Sequence, residues 1–108
     1  MVSEQGVRFI AAANHWVGRE GQTPRYIIIH GTAGGSSALA IANYFAQPST
    51  QASAHYVIGR DGTIVCAVSE ENAAWSNGVI TGPQVSRAMA SATAITIVGG
   101  ITALIRIW

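Results

Sequence analysis

The chain has 108 residues, 49% of them apolar and only 10% charged, which allows one domain and little more. Six arginines oppose five carboxylates for a formal net charge of +1, with no lysine at all. That balance excludes a disordered charged tail and offers no clustered basic surface for nucleic acid. A single cysteine, Cys66, excludes an intramolecular disulfide framework and a thiolate-only zinc site.

Residues 1–24 read as an irregular lead-in broken by Gly6, Gly18, Gly21 and Pro24. Glu4, Arg8 and His15 leave no long apolar core there, so no secretory leader is expected and synthesis in the cytoplasm is. Residues 25–30 (RYIIIH) form a short β-branched run typical of a buried strand. A flexible turn, Gly31-Thr32-Ala33-Gly34-Gly35, follows. Ser36 or Ser37 then caps a helix over residues 38–46, with Leu39, Ala42 and Phe45 on one face and Pro48 as its stop. Two β-branched runs, residues 54–59 and 63–68, flank Arg60-Asp61-Gly62 and predict a hairpin. Residues 70–81 form a polar loop. Strand, helix and hairpin in this order predict an α/β domain with a mixed sheet.

The last quarter differs. Residues 88–105 carry no charge between Arg87 and Arg106. Eighteen residues is marginal for a membrane span. The Ala, Thr, Ser and Gly content favours a buried strand pair instead, residues 94–98 and 101–105, split by Gly99-Gly100. A membrane anchor is the lesser reading.

His30 is the first candidate for chemistry. It closes an apolar strand just before a glycine-rich turn, where a side chain is held rigidly at a rim. An imidazole so placed suits a zinc ligand, although position alone favours a histidine satisfied by local hydrogen bonds. His15, His30 and His55 number three, but their spacing matches no local metal motif. The glycine turn lacks the lysine and spacing of a phosphate loop. His55, inside the first hairpin strand, is either a buried structural histidine or a substrate contact. Trp75 is either core or a stacking platform for a sugar or peptide. Cys66, on an apolar strand, reads as packing rather than nucleophile.

The order of motifs carries more. RYIIIHGTAG, then a helix, then SAHYVIGRDGTIV, then ENAAWSNG resembles the N-terminal half of the zinc-dependent N-acetylmuramoyl-L-alanine amidases. This is the type-2 amidase family, to which the peptidoglycan recognition proteins are related. The likeness covers roughly residues 22–82. It implies a mixed β-sheet flanked by helices, apparently truncated, and an endolysin-like hydrolase of the cell wall. It implies zinc as cofactor, with His30 as its first ligand, and His55 and Trp75 on the substrate side. The substrate implied is peptidoglycan, cut at the amide between the muramic-acid lactyl group and L-alanine. Zinc in such a site lowers the pKa of bound water toward ~7 and polarises the scissile carbonyl.

The chain departs from the family in two places. Ser76 stands in the AWSNG loop where a histidine is frequent. Residues 83–108 contain no His, Asp, Glu or Cys, whereas the family's remaining ligands and its catalytic glutamate lie in that half. The catalytic residues therefore stay unassigned. The run AITIVGGITALIRIW is unlike the rest in composition, and suitable codons let another frame read HHDRGWDHGLNPNL. The expectation is residues 1–84 as the N-terminal part of an amidase-like domain and residues 85–108 as an off-family apolar tail from a shifted frame. As written, the chain is expected to be poorly soluble and to show no amidase activity. The alternative is a non-catalytic peptidoglycan-binding module.

Overall fold

The computed structural model describes residues 7–32, 37–76 and 89–99. Two sheets and one helix make up its frame. β1 (Arg8–Phe9), β3 (Tyr26–Gly31), β4 (Tyr56–Ile58), β5 (Ile64–Cys66) and β7 (Ala92–Ile97) form a five-stranded mixed sheet in the order β1-β5-β4-β7-β3. β2 (His15–Trp16) and β6 (Ala73–Ala74) pair antiparallel as a separate small sheet. Helix α1 (Ala38–Phe45) connects β3 to β4, as a crossover between strands lying parallel to one common neighbour.

Local chemistry explains these elements. Tyr26–Gly31 carries three consecutive isoleucines and pairs parallel with β7 over six residues. Ser37 is the N-cap of α1, its side chain accepting from the Ala40 N–H at 3.1 Å. The helix buries Ala38, Ala42 and Phe45, while Leu39, expected on that face, is only partly buried. The β4–β5 hairpin is closed by Gly59 N–H to Thr63 C=O at 2.8 Å, with Gly62 at φ +88°. A left-handed residue there favours glycine. Asp61 Oδ1 accepts from the Thr63 N–H and fixes the turn.

Side-chain alternation splits the large sheet into two faces. Val57, Val65 and Ala94 turn toward α1 and join Ala38, Ala42 and Phe45 in the core. Parallel register carries Thr96 and His30 onto the same face. The other face presents Tyr56, Ile58, Ile64, Cys66, Ile95, Ile27 and Ile29.

Two expectations change here. The lead-in is not irregular throughout, because β1 and β2 arise from it. The stretch set apart as a tail supplies β7, which lies between β4 and β3. Its alternating Ala-Thr-Ala-Ile-Thr-Ile suits an inner strand, and four of its six residues are buried. The expected strand over residues 94–98 is this one, two residues early. Its expected companion over residues 101–105 lies outside the described residues. Among the described residues α1 packs against the sheet, and no helix is long and apolar enough to cross a membrane.

Candidate functional site

His30 sits at the C-terminal end of β3, on the α1 side of the sheet, opposite Thr96 of β7. Its ring is half-buried, and its Nε2 is buried with no hydrogen-bond partner among the described residues. A buried polar atom without a partner is costly and rare in a folded protein. An imidazole held this way keeps one nitrogen free for a ligand. Its neighbour in register, Thr96, is buried and carries a neutral hydroxyl.

His55 is different. It is fully buried. Its Nδ1 accepts from the Ala94 N–H at 3.0 Å, so the proton sits on Nε2. Nε2 lies 2.8 Å from the Asn72 carbonyl, to which it donates, and 2.9 Å from Arg19 Nη2. Burial, with the Arg19 guanidinium alongside, holds its pKa below the ordinary histidine value of 6.5, against an opposing contribution from the Asn72 bond. The neutral ring thus ties β7 to the loop before β6. The structure places His55, expected on the substrate side, in the core with both ring nitrogens bonded.

The same cluster holds a residue that the sequence did not single out. Arg19 is buried, and its Nη1 donates to the carbonyls of Ala90 and Ala92 at 3.0 and 2.8 Å. Its Nε donates to the Glu70 carbonyl, and Nη2 pairs with Glu70 Oε1 at 3.1 Å. That carboxylate also accepts from Thr93 Oγ1 at 2.9 Å. Burial and the hydrogen bond to Glu70 push the Tyr56 phenol up to about 12. Cys66 is half-buried, and burial followed by the Glu70 charge raises its thiol pKa. That is the setting of a packed cysteine rather than a nucleophile.

Trp75 is half-buried and packs on Trp16 with ring centroids 5.9 Å apart, tilted by 55°. Its backbone N–H donates to Ser53 Oγ at 2.9 Å, and its indole Nε1 is buried without a partner among the described residues. The rest of the loop, from Asn77 onward, lies outside the described residues. No hydrogen bond among the described residues joins any two of His30, His55 and Trp75.

Zinc requires three protein donors in a catalytic site. His30, with its free buried nitrogen, fits the part of one. No group of three or more His, Cys, Asp or Glu side chains stands together among the described residues. His55 is engaged on both ring nitrogens, and His15 bonds the Ala12 carbonyl from the separate small sheet. The residues outside the described set add one acid, Glu4, and no histidine or cysteine. The donors among the described residues do not fit a three-ligand zinc site.

Comparison with known proteins places the fold. A family model described as N-acetylmuramoyl-L-alanine amidase matches residues 20–101. The match runs through β7 and past the boundary expected after residue 84. Among solved structures, a mutant endolysin from Bacillus subtilis is 25% identical with a TM-score of 0.67, over 86% of this chain and 60% of that one. A mutant of PlyL is 20% identical with a TM-score of 0.66, over 85% of this chain and 57% of that one. A selenomethionine derivative of AmpD is 20% identical with a TM-score of 0.62, over 94% and 68%. The PlyL and AmpD likenesses speak for the fold. The chain spans less than two thirds of the length of the endolysin and PlyL structures. No curated protein sequence matches it. On the family match, which takes in most of the chain and every strand from β3 to β7, this protein belongs to the N-acetylmuramoyl-L-alanine amidase family.

Proposed function

We propose that the protein acts on peptidoglycan, at the amide between N-acetylmuramic acid and L-alanine, and that these 108 residues supply part of the ligand site without a complete hydrolytic centre. The observation that carries this reading is His30: it lies within the family-matched stretch, at a strand end, with a buried nitrogen that has no partner among the described residues. Rigid placement is what a binding or reacting group needs. Thr96, beside it, offers a hydrogen bond but no base at neutral pH.

The second reading, a binding module without catalysis, draws on the donor set. One imidazole neither holds zinc firmly nor activates water by itself. One experiment tests what the two readings share. The protein is incubated with purified cell-wall sacculi, with and without added zinc, and sedimentation and released muropeptides are both measured. Co-sedimentation without release supports a ligand site lacking catalysis. Release of stem peptides shows that hydrolysis is complete in this chain. Absence of co-sedimentation and of release contradicts both readings. Action at the cell wall, after synthesis in the cytoplasm, is part of the same proposal.

A further inference from the structure

We propose that residues 17–22 form a strap that protonation of His55 releases, so that Arg19 withdraws from the core while the five-stranded sheet stays folded. The strap turns sharply, with Gly18, Glu20 and Gly21 at φ +79°, +52° and +77°. Glu20 occupies the left-handed region without being glycine, so the turn is strained and has to be held from outside itself. Among the described residues, Arg19 and Gly18 hold it. Arg19 bonds the carbonyls of Glu70, Ala90 and Ala92 and the Glu70 carboxylate. The Gly18 N–H donates to Asn72 Oδ1 at 2.8 Å.

Both attachments meet at one imidazole. His55 Nε2 donates to the Asn72 carbonyl, and Arg19 Nη2, itself a donor, stands 2.9 Å from the same nitrogen. The nitrogen left to take a proton is Nδ1, and it faces the Ala94 N–H at 3.0 Å. An imidazolium would therefore set N–H against N–H at Nδ1 and a second cation against the guanidinium at Nε2.

The charges around the ring do not relieve this. Among the described residues the strap brings Arg19, and the loop before β6 brings Glu70. Glu70 bonds Tyr56 of β4 and acts on Cys66 of β5, while β7 brings backbone groups and the Thr93 hydroxyl. With the ring neutral, Arg19 and Glu70 offset each other. One more proton leaves the buried cluster with an uncompensated positive charge. Ala94 lies on an inner strand, whereas Val17, at the start of the strap, is 90% exposed. The strap is the partner that can move.

The test is amide exchange of the whole chain, residue by residue, from pH 7.5 to pH 5 and corrected for the intrinsic rate, beside a nitrogen NMR titration of His55. The expected result is that protection of the Gly18 amide falls about tenfold per pH unit below about 6.5, one proton being taken up on opening. That opening should be far easier than the one exposing the Thr32 and Val98 amides, which bond the carbonyls of Ile97 and Ile58, and circular dichroism should stay native. His55→Gln, neutral at every pH, should abolish the dependence. Should that variant fail to fold, the titration of the unsubstituted chain decides. Gly18 protection that ignores pH overturns the proposal. So does Gly18 opening only together with Thr32 and Val98, which would make the strap part of the global unfolding unit. So does protonation of His55 with Gly18 still protected, or a pH dependence that survives in His55→Gln.

Discussion

Thr96 stands directly across from His30 in the parallel pairing of β7 with β3, both on the face that α1 covers. The register neighbour of this imidazole, unpartnered among the described residues, is thus a hydroxyl and not a carboxylate. With no second donor grouped beside it, added zinc should leave the thermal midpoint unchanged. Equilibrium dialysis should retain well under one zinc per chain. One tightly held zinc per chain would show that donors assemble in a way that the described residues do not.

His55 and His30 should respond oppositely to substitution. His55→Leu removes the acceptor for the Ala94 N–H and the donor to the Asn72 carbonyl. Two buried backbone groups are orphaned, at a cost of about 3 kcal/mol. His30→Leu removes a buried nitrogen that has no partner among the described residues, so stability should hold or rise by about 1 kcal/mol. Urea unfolding of both variants checks this. Equal losses would mean that His30 is held by bonds like those of His55.

Stability should fall on mild acidification. The folded pKa of His55 lies below 6.5, chiefly through burial. The unfolded chain therefore binds a proton first as pH drops. The stability tied to the neutral ring is full above about 6.5 and is lost as pH falls from there toward the folded value. A denaturation series from pH 8 to pH 5 reads the slope, and His55→Leu should flatten it. An unchanged slope in that variant would assign the loss to other groups.

Arg19 and Glu70 are partners of unequal weight. The Arg19 side chain is 5% exposed and that of Glu70 47%. Arg19→Met strands the carbonyls of Ala90 and Ala92 and should cost about 3 kcal/mol or more. Glu70→Gln should cost less than about 1 kcal/mol, because solvent screens that carboxylate. Thermal melts of both variants decide the order, and a larger loss for Glu70→Gln would reverse the assignment.

The strands that read clearly from the sequence were those with a local signature. Three isoleucines before a glycine turn marked β3, Ser37 before Ala38-Leu39-Ala40 marked α1, and Asp61-Gly62 between β-branched runs marked the β4–β5 hairpin. β1, β2 and β6 have two residues each, too few for any periodicity to show. β7 was placed two residues late. Low charge also set its surroundings apart as a tail, although low charge and small alternating residues are what an inner strand of a covered sheet requires. Of the candidate site, the place of His30 at a strand end was legible, while its role there belongs to the proposal. The Arg19–His55–Glu70 cluster was not, since its members are drawn together across 36 and 51 positions by tertiary packing.

The most direct measurement follows the histidine rings by nitrogen NMR as a soluble muramoyl peptide bearing the N-acetylmuramoyl–L-alanine linkage is added. The account predicts that the His30 resonances move in a saturable way while those of His55, sealed in the core, stay in place. Movement of His55 or His15 with His30 unchanged, or no movement at all, would contradict a ligand site at the end of β3.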